Sequence, residues 1–414
     1  MACAGRRSTS GNCWVRCRGG RSPSHDMTLA AAGDAAGGSR ENPAASPFIA
    51  NQSIATPAIA TQAIAIQVTT TPSASGQPAA DQPLVAVVVL NWNDAEATLR
   101  CLRSLAGTSY PRWRVIVVDN ASIDGSAQRV AAAAPDALLI RNPVNLGFTG
   151  GVNAGISRAL QDGADYVWLL NSDAVVPPDA LARLVAAAEA DQRIGLVSPV
   201  FHAADRPDVP EHCLAIFDPQ ARFASQTADP AQAAVWQRTC PHRVLLLGTA
   251  LLVRRDLLRA IGPLDPQFFA YVEDVDFSLR CHAAGFKAVA LPDVVVLHTF
   301  KQPVEAPATV APYVHYFMSR NYPLLWRKLP GPVWWRKSSL WFLRQRLAQI
   351  VRMRDQPRAV EAVIAGLWDG VRGRGGAYDP DRRPPALLRL LLGRGAPFWL
   401  ALLDRRWPSR GVAG

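Results

Sequence analysis

The chain has 414 residues, of which 49% are hydrophobic, so it is long enough for one large domain or two ordinary ones with a sizeable core. Its formal net charge of +11 is concentrated at the end: from Lys301 onward there are twenty Lys and Arg against seven Asp and Glu, together with seven of the twelve Trp. The seven Cys include no Cys-x-x-Cys pair, which excludes a simple zinc or disulfide framework and favours reduced thiols in a cytosolic compartment.

Residues 1–82 are dominated by Ala, Ser, Thr, Gly and Pro, and a loose Ile-Ala repeat runs through 49–70. Such a composition cannot bury enough apolar surface to offset the entropy of ordering, so we expect a disordered, low-complexity segment. The basic start has no apolar stretch of the kind that a secretory signal peptide needs. The chain contains no run of 18 uncharged apolar residues, so the sequence predicts no transmembrane helix.

Four apolar runs follow, each ending in a cluster of polar residues: 84–90, 115–118, 138–140 and 166–170. Segments with helical spacing separate them, at 95–105, 127–134 and 156–160. Strands that alternate with helices predict a parallel, doubly wound α/β sheet. Ligands bind such sheets where the strands end at their carboxyl edge.

The next elements are predicted by the same criteria: helices at 178–190 and 256–261, short strands near 195–200 and 243–253, a helix that stops at Gly285, and a last strand over 287–297 that ends at His298. The stretch 202–240 is polar and interrupted by Pro, so we expect a variable flap there. These elements place one α/β domain at 83–302, followed by a basic, Trp-rich helical extension at 303–414.

Oxygen-bearing side chains end the fourth strand, in Asn171-Ser172-Asp173. Mg²⁺ and Mn²⁺ prefer oxygen ligands, and they usually take one or two carboxylates together with phosphate oxygens. Asn, Ser and Asp also form ordinary turns and helix caps, which is the alternative interpretation. His298 could add a metal ligand beside Asp173 or could simply cap its strand.

Two further loops are typical of nucleotide binding. Asp119 and Asp124 flank the end of the second strand, where a carboxylate could recognise a base and a ribose, or could form Asx turns and helix caps. The loop 145–153 places three Gly before a helix, an arrangement that lets the backbone approach a diphosphate, although it is neither a Walker A loop nor a dinucleotide fingerprint.

A third group of acids, Glu273, Asp274 and Asp276, precedes an amphipathic run. One of them could act as a general base presented at the mouth of a helix. The alternative is that acids in a first helical turn are favoured by the helix dipole.

The order of these motifs resembles that of the family 2 inverting glycosyltransferases of the GT-A fold, within a bacterial rhamnosyltransferase-like subgroup. The resemblance covers roughly 84–300, with a weaker echo at Arg320-Asn321. The motifs are Leu90-Asn-Trp-Asn, Asp119-Asn-Ala-Ser-Ile-Asp124-Gly-Ser, Asn145-Leu-Gly147-Phe-Thr-Gly-Gly-Val-Asn153, Leu-Leu-Asn171-Ser-Asp173, Gly248-Thr-Ala, Tyr271-Val-Glu273-Asp274-Val-Asp-Phe and His298.

The resemblance implies a site for a nucleotide-sugar. Asp119 would hold the base, with Asn91 and Asp124 nearby, and Asn153 would lie near the diphosphate or the sugar. Other substrate-binding positions implied in the same way are Asn145, Gly147, Asn171 and Glu273.

The resemblance also implies the chemistry. Asp173 and His298 would hold Mg²⁺ or Mn²⁺, and Asp274 would be the catalytic base. This chain has Asn171 where the metal motif of the family usually starts with Asp, which leaves one carboxylate in that motif. A Gln-x-x-Arg-Trp motif, typical of processive members, is absent from the sequence, so we expect transfer of a single sugar.

The expected enzyme is a hexosyltransferase of cell-envelope polysaccharide synthesis, moving rhamnose from dTDP-rhamnose to a hydroxyl of a glycan or lipid-linked glycan acceptor. A UDP-sugar donor and a non-catalytic nucleotide-sugar-binding module are the alternatives. The interleaved Trp and Arg of the tail favour a peripheral, cytoplasmic position on the anionic inner face of the cell membrane. Alternatively, these Trp pack on the catalytic domain. We expect no nucleic-acid partner, because the core has no matching motif.

Overall fold

The computed structural model describes residues 81–299, 310–331 and 337–406. The predicted disordered segment at 1–82 lies outside these ranges except for its last two residues. Residues 303–309 of the predicted C-terminal extension also lie outside them.

The described residues form twelve strands: β1 Val85–Asn91, β2 Trp113–Asp119, β3 Leu138–Arg141, β4 Tyr166–Asn171, β5 Ala174–Val175, β6 Ile194–Ala203, β7 Arg206–His212, β8 Leu214–Asp218, β9 Phe223–Thr227, β10 Val244–Leu245, β11 Ala250–Arg254 and β12 Lys287–His298. Nine of them make one sheet in the order β3-β2-β1-β4-β11-β6-β12-β5, with β7 on β6. The neighbouring strands β3, β2, β1 and β4 are parallel to one another. Strand β11 is antiparallel to its neighbours β4 and β6, and β12 is parallel to β6. The predicted mostly parallel, doubly wound α/β sheet is therefore confirmed.

Helices cover both faces of this sheet: α1 Ala95–Ala106, α2 Ser126–Ala133, α3 Gly147–Gln161, α4 Ala180–Glu189, α5 Pro230–Thr239, α6 Arg255–Ile261 and α7 Glu273–Ala283. The run Val85, Ala86, Val87, Val88 and Val89 is fully buried, because alternate side chains enter the apolar cores of opposite faces. One apolar core lies between the sheet and helices α1 and α4. The other lies between the opposite face of the sheet and helices α3, α6 and α7.

Glycine sets the close approach of α3 to the sheet. A Cβ at Gly155 would lie 2.3 Å from Cγ1 of Val88 in β1. Such a contact has no room in a packed core, so α3 and β1 require Gly at this position.

The expectation of a variable flap at 202–240 is wrong. The stretch contains β7, β8, β9 and α5, and β8 lies between β10 and β9 in a separate antiparallel sheet. The flap was predicted partly because Pro207 and Pro210 interrupt this stretch. They lie in β7, an edge strand, where proline is tolerated because one row of backbone N–H groups needs no partner.

The C-terminal residues are helical, as predicted: α8 Pro312–Lys328, α9 Lys337–Arg352, α10 Pro357–Arg372, α11 Ala386–Arg389 and α12 Ala396–Arg406, with a π-helical turn at Leu390–Arg394. α8 and α10 pack closely, since a Cβ at Gly366 would lie 2.3 Å from the carbonyl oxygen of Tyr316. Trp326 is 1% exposed and donates from Nε1 to the Arg222 carbonyl at 2.9 Å, so it packs inside the protein; Trp341 is 49% exposed.

Within the described ranges no single helix is long and apolar enough to cross a bilayer. The segments Ala386–Arg394 and Ala396–Arg405 meet the criteria of length and composition only as a pair, and that pair is bent by 58°.

Candidate active site

Asn91 and Asp119 end neighbouring strands in register and are both buried. The Asn91 amide donates to Oδ1 of Asp119 at 2.8 Å, and its Oδ1 accepts from the Thr98 hydroxyl at 2.8 Å. The second carboxylate oxygen of Asp119 accepts from the Ser122 backbone N–H at 3.2 Å. The sequence placed Asn91 and Asp119 together correctly, and the surrounding hydrogen bonds fix the carboxylate at the sheet edge.

Asp124 lies at the surface just beyond them. Its Oδ1 accepts from the backbone N–H of Ser126, the first residue of α2, at 3.0 Å. This is the local capping contact that the sequence left open as the alternative to nucleotide binding.

Asn120 connects this edge to the Gly-rich loop, a role that sequence analysis missed. Its amide nitrogen donates to Oδ1 of Asn145 at 2.9 Å and to the Gly147 carbonyl at 3.0 Å, and its oxygen accepts from the Leu146 N–H at 3.1 Å. Oδ1 of Asn145 also accepts from the Gly147 N–H at 2.8 Å. Asn145 therefore shapes the loop that opens α3.

The predicted loop at 145–153 is wrong in its extent, because α3 already begins at Gly147 and the glycines lie in its first turns. These turns touch the segment before α7. Gly147 has φ +73°, and a Cβ there would lie 2.4 Å from the carbonyl oxygen of Phe269. That carbonyl accepts from the Thr149 backbone N–H at 3.1 Å. Asn153 exchanges two hydrogen bonds with the backbone of Leu264, at 2.8 and 3.1 Å, so its amide fastens the chain that leads toward α7.

The pair Asp173 and His298 forms where β5 and β12 meet, because His298 lies opposite Ala174 in the antiparallel pairing. Nε2 of His298 is 3.1 Å from Oδ1 of Asp173 and 3.5 Å from the Asn171 amide nitrogen. Within the described ranges no group of three or more His, Cys, Asp or Glu side chains comes together around a common metal position.

These donors fit a divalent cation that is shared with a ligand. Mg²⁺ usually takes one or two carboxylates together with substrate phosphate oxygens and several waters. Asp173 offers such a carboxylate, and His298 places an imidazole nitrogen 3.1 Å from it. An amide oxygen of Asn171 could join them after a simple side-chain flip, and phosphate oxygens and water would complete the set.

Asp274 lies in the first turn of α7. Its Oδ1 accepts from the Val275 N–H at 2.8 Å, and its Oδ2 accepts from the Gly248 N–H at 3.4 Å. The next residue, Thr249, accepts at its carbonyl from the Asn171 N–H at 2.8 Å. Asp274 is thus linked through two consecutive residues to the end of β4, where the Asp173 motif begins.

Burial raises the pKa of the Asp274 carboxyl, against the opposing effect of its backbone hydrogen bonds. Burial, and then the charge of Asp274, raise the pKa of Glu273 well above its usual value. Glu273 is 7% exposed, and its Oε2 has no hydrogen-bond partner among the described residues. Two adjacent acids with raised pKa at a helix mouth are typical of functional sites.

The segment that delivers this helix has an unusual backbone. Phe269, Tyr271 and Val272 have φ of +63°, +68° and +70°, although none is glycine. Left-handed geometry costs a residue with a Cβ about 1–2 kcal/mol, and it persists only where the surroundings enforce it.

Asn321 and Arg320 of α8 enforce it. The Asn321 amide donates to the carbonyls of Ala270 and Tyr271, at 2.7 Å each, and more weakly to that of Phe268 at 3.1 Å. Arg320 orients this amide by donating from Nε to its Oδ1 at 2.8 Å, and it donates from Nη2 to the Phe268 carbonyl at 2.6 Å. Both residues are fully buried. Sequence analysis noted this pair without a role.

Comparison with known proteins agrees with the motif order. The model of the family described as glycosyl transferase family 2 matches residues 86–262. An N-acetylglucosaminyl-diphospho-decaprenol L-rhamnosyltransferase of Mycobacterium tuberculosis is 26% identical over 293 residues, covering 63% of this chain and 90% of that protein. A galactofuranosyltransferase of the same organism is 27% identical over 219 residues, covering 52% and 70%. Among solved structures, a mannosyltransferase of Pyrobaculum calidifontis in complex with GDP-Man and Mn²⁺ is 18% identical, covers 82% of this chain and 91% of its own, and gives a TM-score of 0.44.

Proposed function

We propose that this chain, which is a family 2 glycosyltransferase, moves a single sugar from a nucleotide-sugar to an acceptor hydroxyl with inversion at the anomeric carbon. The observation that carries the proposal is the backbone link from Asp274 through Gly248 and Thr249 to the Asn171–Asp173 turn. This link brings a carboxylate of raised pKa and a carboxylate–imidazole pair to one edge of the sheet.

The nucleotide would lie across the ends of β1 and β2. Asp119, oriented by Asn91, offers a fixed acceptor for the N–H groups of a base. The N-terminus of α3 would face the diphosphate, because the helix dipole favours anions there, although the N–H groups of Gly147 and Thr149 already donate within the protein. Asn145 would act by holding this loop in shape.

Asp173 and His298 would hold the divalent cation, Mg²⁺ or Mn²⁺, with Asn171 beside them. When bound, such an ion neutralises charge on a diphosphate leaving group. The single carboxylate of the motif, with a neutral Asn171, leaves the protein ligands with little net negative charge. The site would therefore depend on the phosphate oxygens of the donor for much of its affinity.

Asp274 would accept the proton of the acceptor hydroxyl as its oxygen attacks the anomeric carbon. Two backbone N–H groups hold its carboxylate, one to each oxygen, which fixes its direction. Its raised pKa makes it a stronger base than an exposed carboxylate, and a base is most effective when its pKa lies near the working pH.

For the donor, we propose dTDP-rhamnose, supported by the 26% identical relative that is named a rhamnosyltransferase. The galactofuranosyltransferase relative supports a different sugar donor as the second candidate. The first relative's name also supports a lipid-linked glycan as acceptor and a role in polysaccharide synthesis.

A lipid-linked acceptor requires access to a membrane, and we propose that the outer side of α11 and α12 lies on its cytoplasmic face. This side exposes six large apolar residues, flanked by Arg394 and Arg405: Leu387, Leu390, Leu391, Phe398, Trp399 and Leu402. Asp404, on α12, is paired with Arg344. An apolar surface with a Trp and cationic edges suits an anionic lipid interface.

A thermal-shift screen of nucleotide-sugars, with and without Mn²⁺, tests the donor and the cation together. We expect a dTDP-sugar to raise the melting temperature more in the presence of Mn²⁺ than in its absence. If no nucleotide-sugar stabilises the protein, the proposed activity is wrong. Co-sedimentation with anionic vesicles tests the membrane surface, and the double variant Phe398→Ser, Trp399→Ser should remain in the supernatant.

A further inference from the structure

Two polar donor atoms on α8 and α9 have no hydrogen-bond partner among the described residues: Nε2 of His315 and Nε of Arg346. His315 is 5% exposed, and burial, followed by the nearby charge of Arg346, lowers the pKa of its imidazole. Buried polar atoms are nearly always paired in folded proteins, so each such atom calls for an explanation. Two unpaired donors close together indicate an anion position.

Side chains of α8 and α9 contact each other at two positions along the helices. On α8, residues 315, 319, 322 and 326 share one side, and on α9 residues 342, 346 and 349 share another, because each set follows the spacing of three or four. At one end the rings of Tyr322 and Phe342 are 5.9 Å apart. At the other end Nδ1 of His315 lies 2.8 Å from Nε2 of Gln349.

Arg346 lies between Phe342 and Gln349 on the same side of α9. Its guanidinium stacks on the Phe342 ring at 5.1 Å, and among the described residues it forms no ion pair with a carboxylate. Burial, the larger effect, and the nearby charge of Arg352 lower its pKa to about 10, so it keeps its charge at neutral pH. A half-buried cation without an anion is costly, and an incoming anion would remove much of that cost.

This cluster lies next to the proposed catalytic base. Tyr322 belongs to the same apolar cluster as Val272 and Val275, the residues on either side of the Glu273–Asp274 pair. Burial, and then the Asp274 charge, raise the pKa of the Tyr322 hydroxyl, and the Arg346 charge opposes that shift. The guanidinium, whose ring neighbour Phe342 lies 5.9 Å from the Tyr322 ring, is therefore near the group that would deprotonate the acceptor.

We propose that Arg346 and His315 bind a phosphate group carried by the acceptor, with Gln349 fixing the imidazole. The guanidinium donates two parallel hydrogen bonds to phosphate oxygens, the geometry for which arginine is better suited than lysine. Nε2 of His315 supplies a further donor in the tautomer whose Nδ1 accepts from Gln349. This inference rests on the proposed function for its assignment to the acceptor, but the anion site itself does not.

The test titrates inorganic pyrophosphate into the full-length protein and follows the melting temperature. The nucleotide site is first filled with a saturating nucleoside diphosphate and Mn²⁺, so that pyrophosphate reports on a second position. The variant is Arg346→Gln, and the matched control is Arg352→Gln, which removes an exposed arginine from the same helix. Arg346→Lys keeps the charge and serves as a second variant if Arg346→Gln does not fold.

We expect Arg352→Gln, which removes a nearby charge but no hydrogen bond, to weaken pyrophosphate binding by no more than about threefold. Arg346→Gln should weaken it by at least about tenfold, as the loss of charge-assisted hydrogen bonds predicts. Arg346→Lys should bind with intermediate affinity. Without ligand, Arg346→Gln should melt no lower than the wild type, because an unpaired cation has been removed.

Two results would overturn the proposal, and a third would separate it from the proposed function. Equal pyrophosphate binding by Arg346→Gln and the wild type, or, if that variant does not fold, tighter binding by Arg346→Lys than by the wild type, would exclude the site as described. Loss of pyrophosphate binding when the nucleotide is present, or weaker nucleotide binding by Arg346→Gln, would assign the arginine to the donor instead. If nucleotide-sugars fail to bind while the Arg346-dependent pyrophosphate site persists, the proposed function fails and the anion site stands.

Discussion

Replacing Asn321 with Ala should disable the enzyme at a distance from the reacting atoms. The substitution removes the donor that serves the carbonyls of Ala270 and Tyr271, just before the helix that carries Asp274. We therefore expect Asn321 to be a positioning residue, acting on the base through the backbone of this segment.

The expected effect of Asn321→Ala follows from comparing two free energies: that of the lost hydrogen bonds and that of the backbone strain. An amide has two protons, so Asn321→Ala deprives two carbonyls in a buried segment of their strong partner, at about 1–3 kcal/mol each. The left-handed geometry of Phe269, Tyr271 and Val272 stores a similar total, about 1–2 kcal/mol per residue. Because the lost support is as large as the stored strain, the segment should relax and move the first turn of α7.

We expect the melting temperature to fall and kcat to drop about 100-fold, the order of loss that a displacement of about 1 Å causes. The donor KM should change little, since Asp119 and its partners lie on the sheet. Steady-state kinetics below the melting transition measure both quantities.

The matched control is Gln237→Ala. Gln237 also exchanges hydrogen bonds with a strand backbone, at Ala290 of β12, 2.7 and 3.1 Å, and it makes none with the segment before α7. The Gln237→Ala variant should have a lower melting temperature, but its kcat should fall by no more than about twofold, because the segment before α7 stays intact. If Asn321→Ala is destabilised yet retains kcat within that same range, the positioning argument is wrong.

Four other predictions follow from the site and the packing. Asp274→Asn should lose about 10²–10⁴-fold in turnover while keeping donor affinity, and its melting temperature at neutral pH should not fall, because a buried charge is removed; normal turnover would contradict the role. Since the pKa of Asp274 is raised in the folded protein, kcat/KM should decline as pH falls through that raised value, and the destabilisation that Asp274→Asn relieves should be full above it and vanish below the ordinary carboxyl pKa; a pH profile and melts of both proteins measure this. Asp173→Ala and His298→Ala should each abolish the extra stabilisation that Mn²⁺ gives to a bound nucleoside diphosphate, without weakening metal-free nucleotide binding, in a thermal-shift titration. Gly155→Ala should destabilise the fold by about 1–3 kcal/mol in urea titration, since its Cβ would collide with Val88.

The sheet edge could be predicted because its signals are local in sequence. Buried strands read as unbroken apolar runs, and each run stops at the polar residue that reaches the edge. Asn91, Asp119 and Asn171 were found in this way, and parallel register places the first two side by side. The residues alone left the pairing of Asp173 with His298 open beside a simple strand cap, and the resemblance favoured it, since the two are 125 positions apart and meet through the antiparallel pairing of β5 with β12.

The support of the base could not be predicted in the same way. Thr149, Arg320 and Asn321 act on backbone carbonyls of a distant segment, and such contacts leave no periodicity in the sequence. Local preference is even misleading there, because Val272 is β-branched and would be expected in an extended backbone, whereas its φ is +70°. Tertiary contacts override local preference at this point, as is common where a side chain must be aimed.

Residues on both sides of the predicted domain boundary at 302 therefore contribute to the candidate active site. Asn321, on the C-terminal side, holds the segment that aims Asp274, on the N-terminal side. Tyr322, the next residue, shares an apolar cluster with that segment, and the Arg346 charge acts on its hydroxyl. The helical extension thus supports the proposed catalytic base and places a cation near it, so the proposed membrane attachment alone does not account for the extension. The apolar surface of α11, the π-helical turn and α12 would serve that second proposed role.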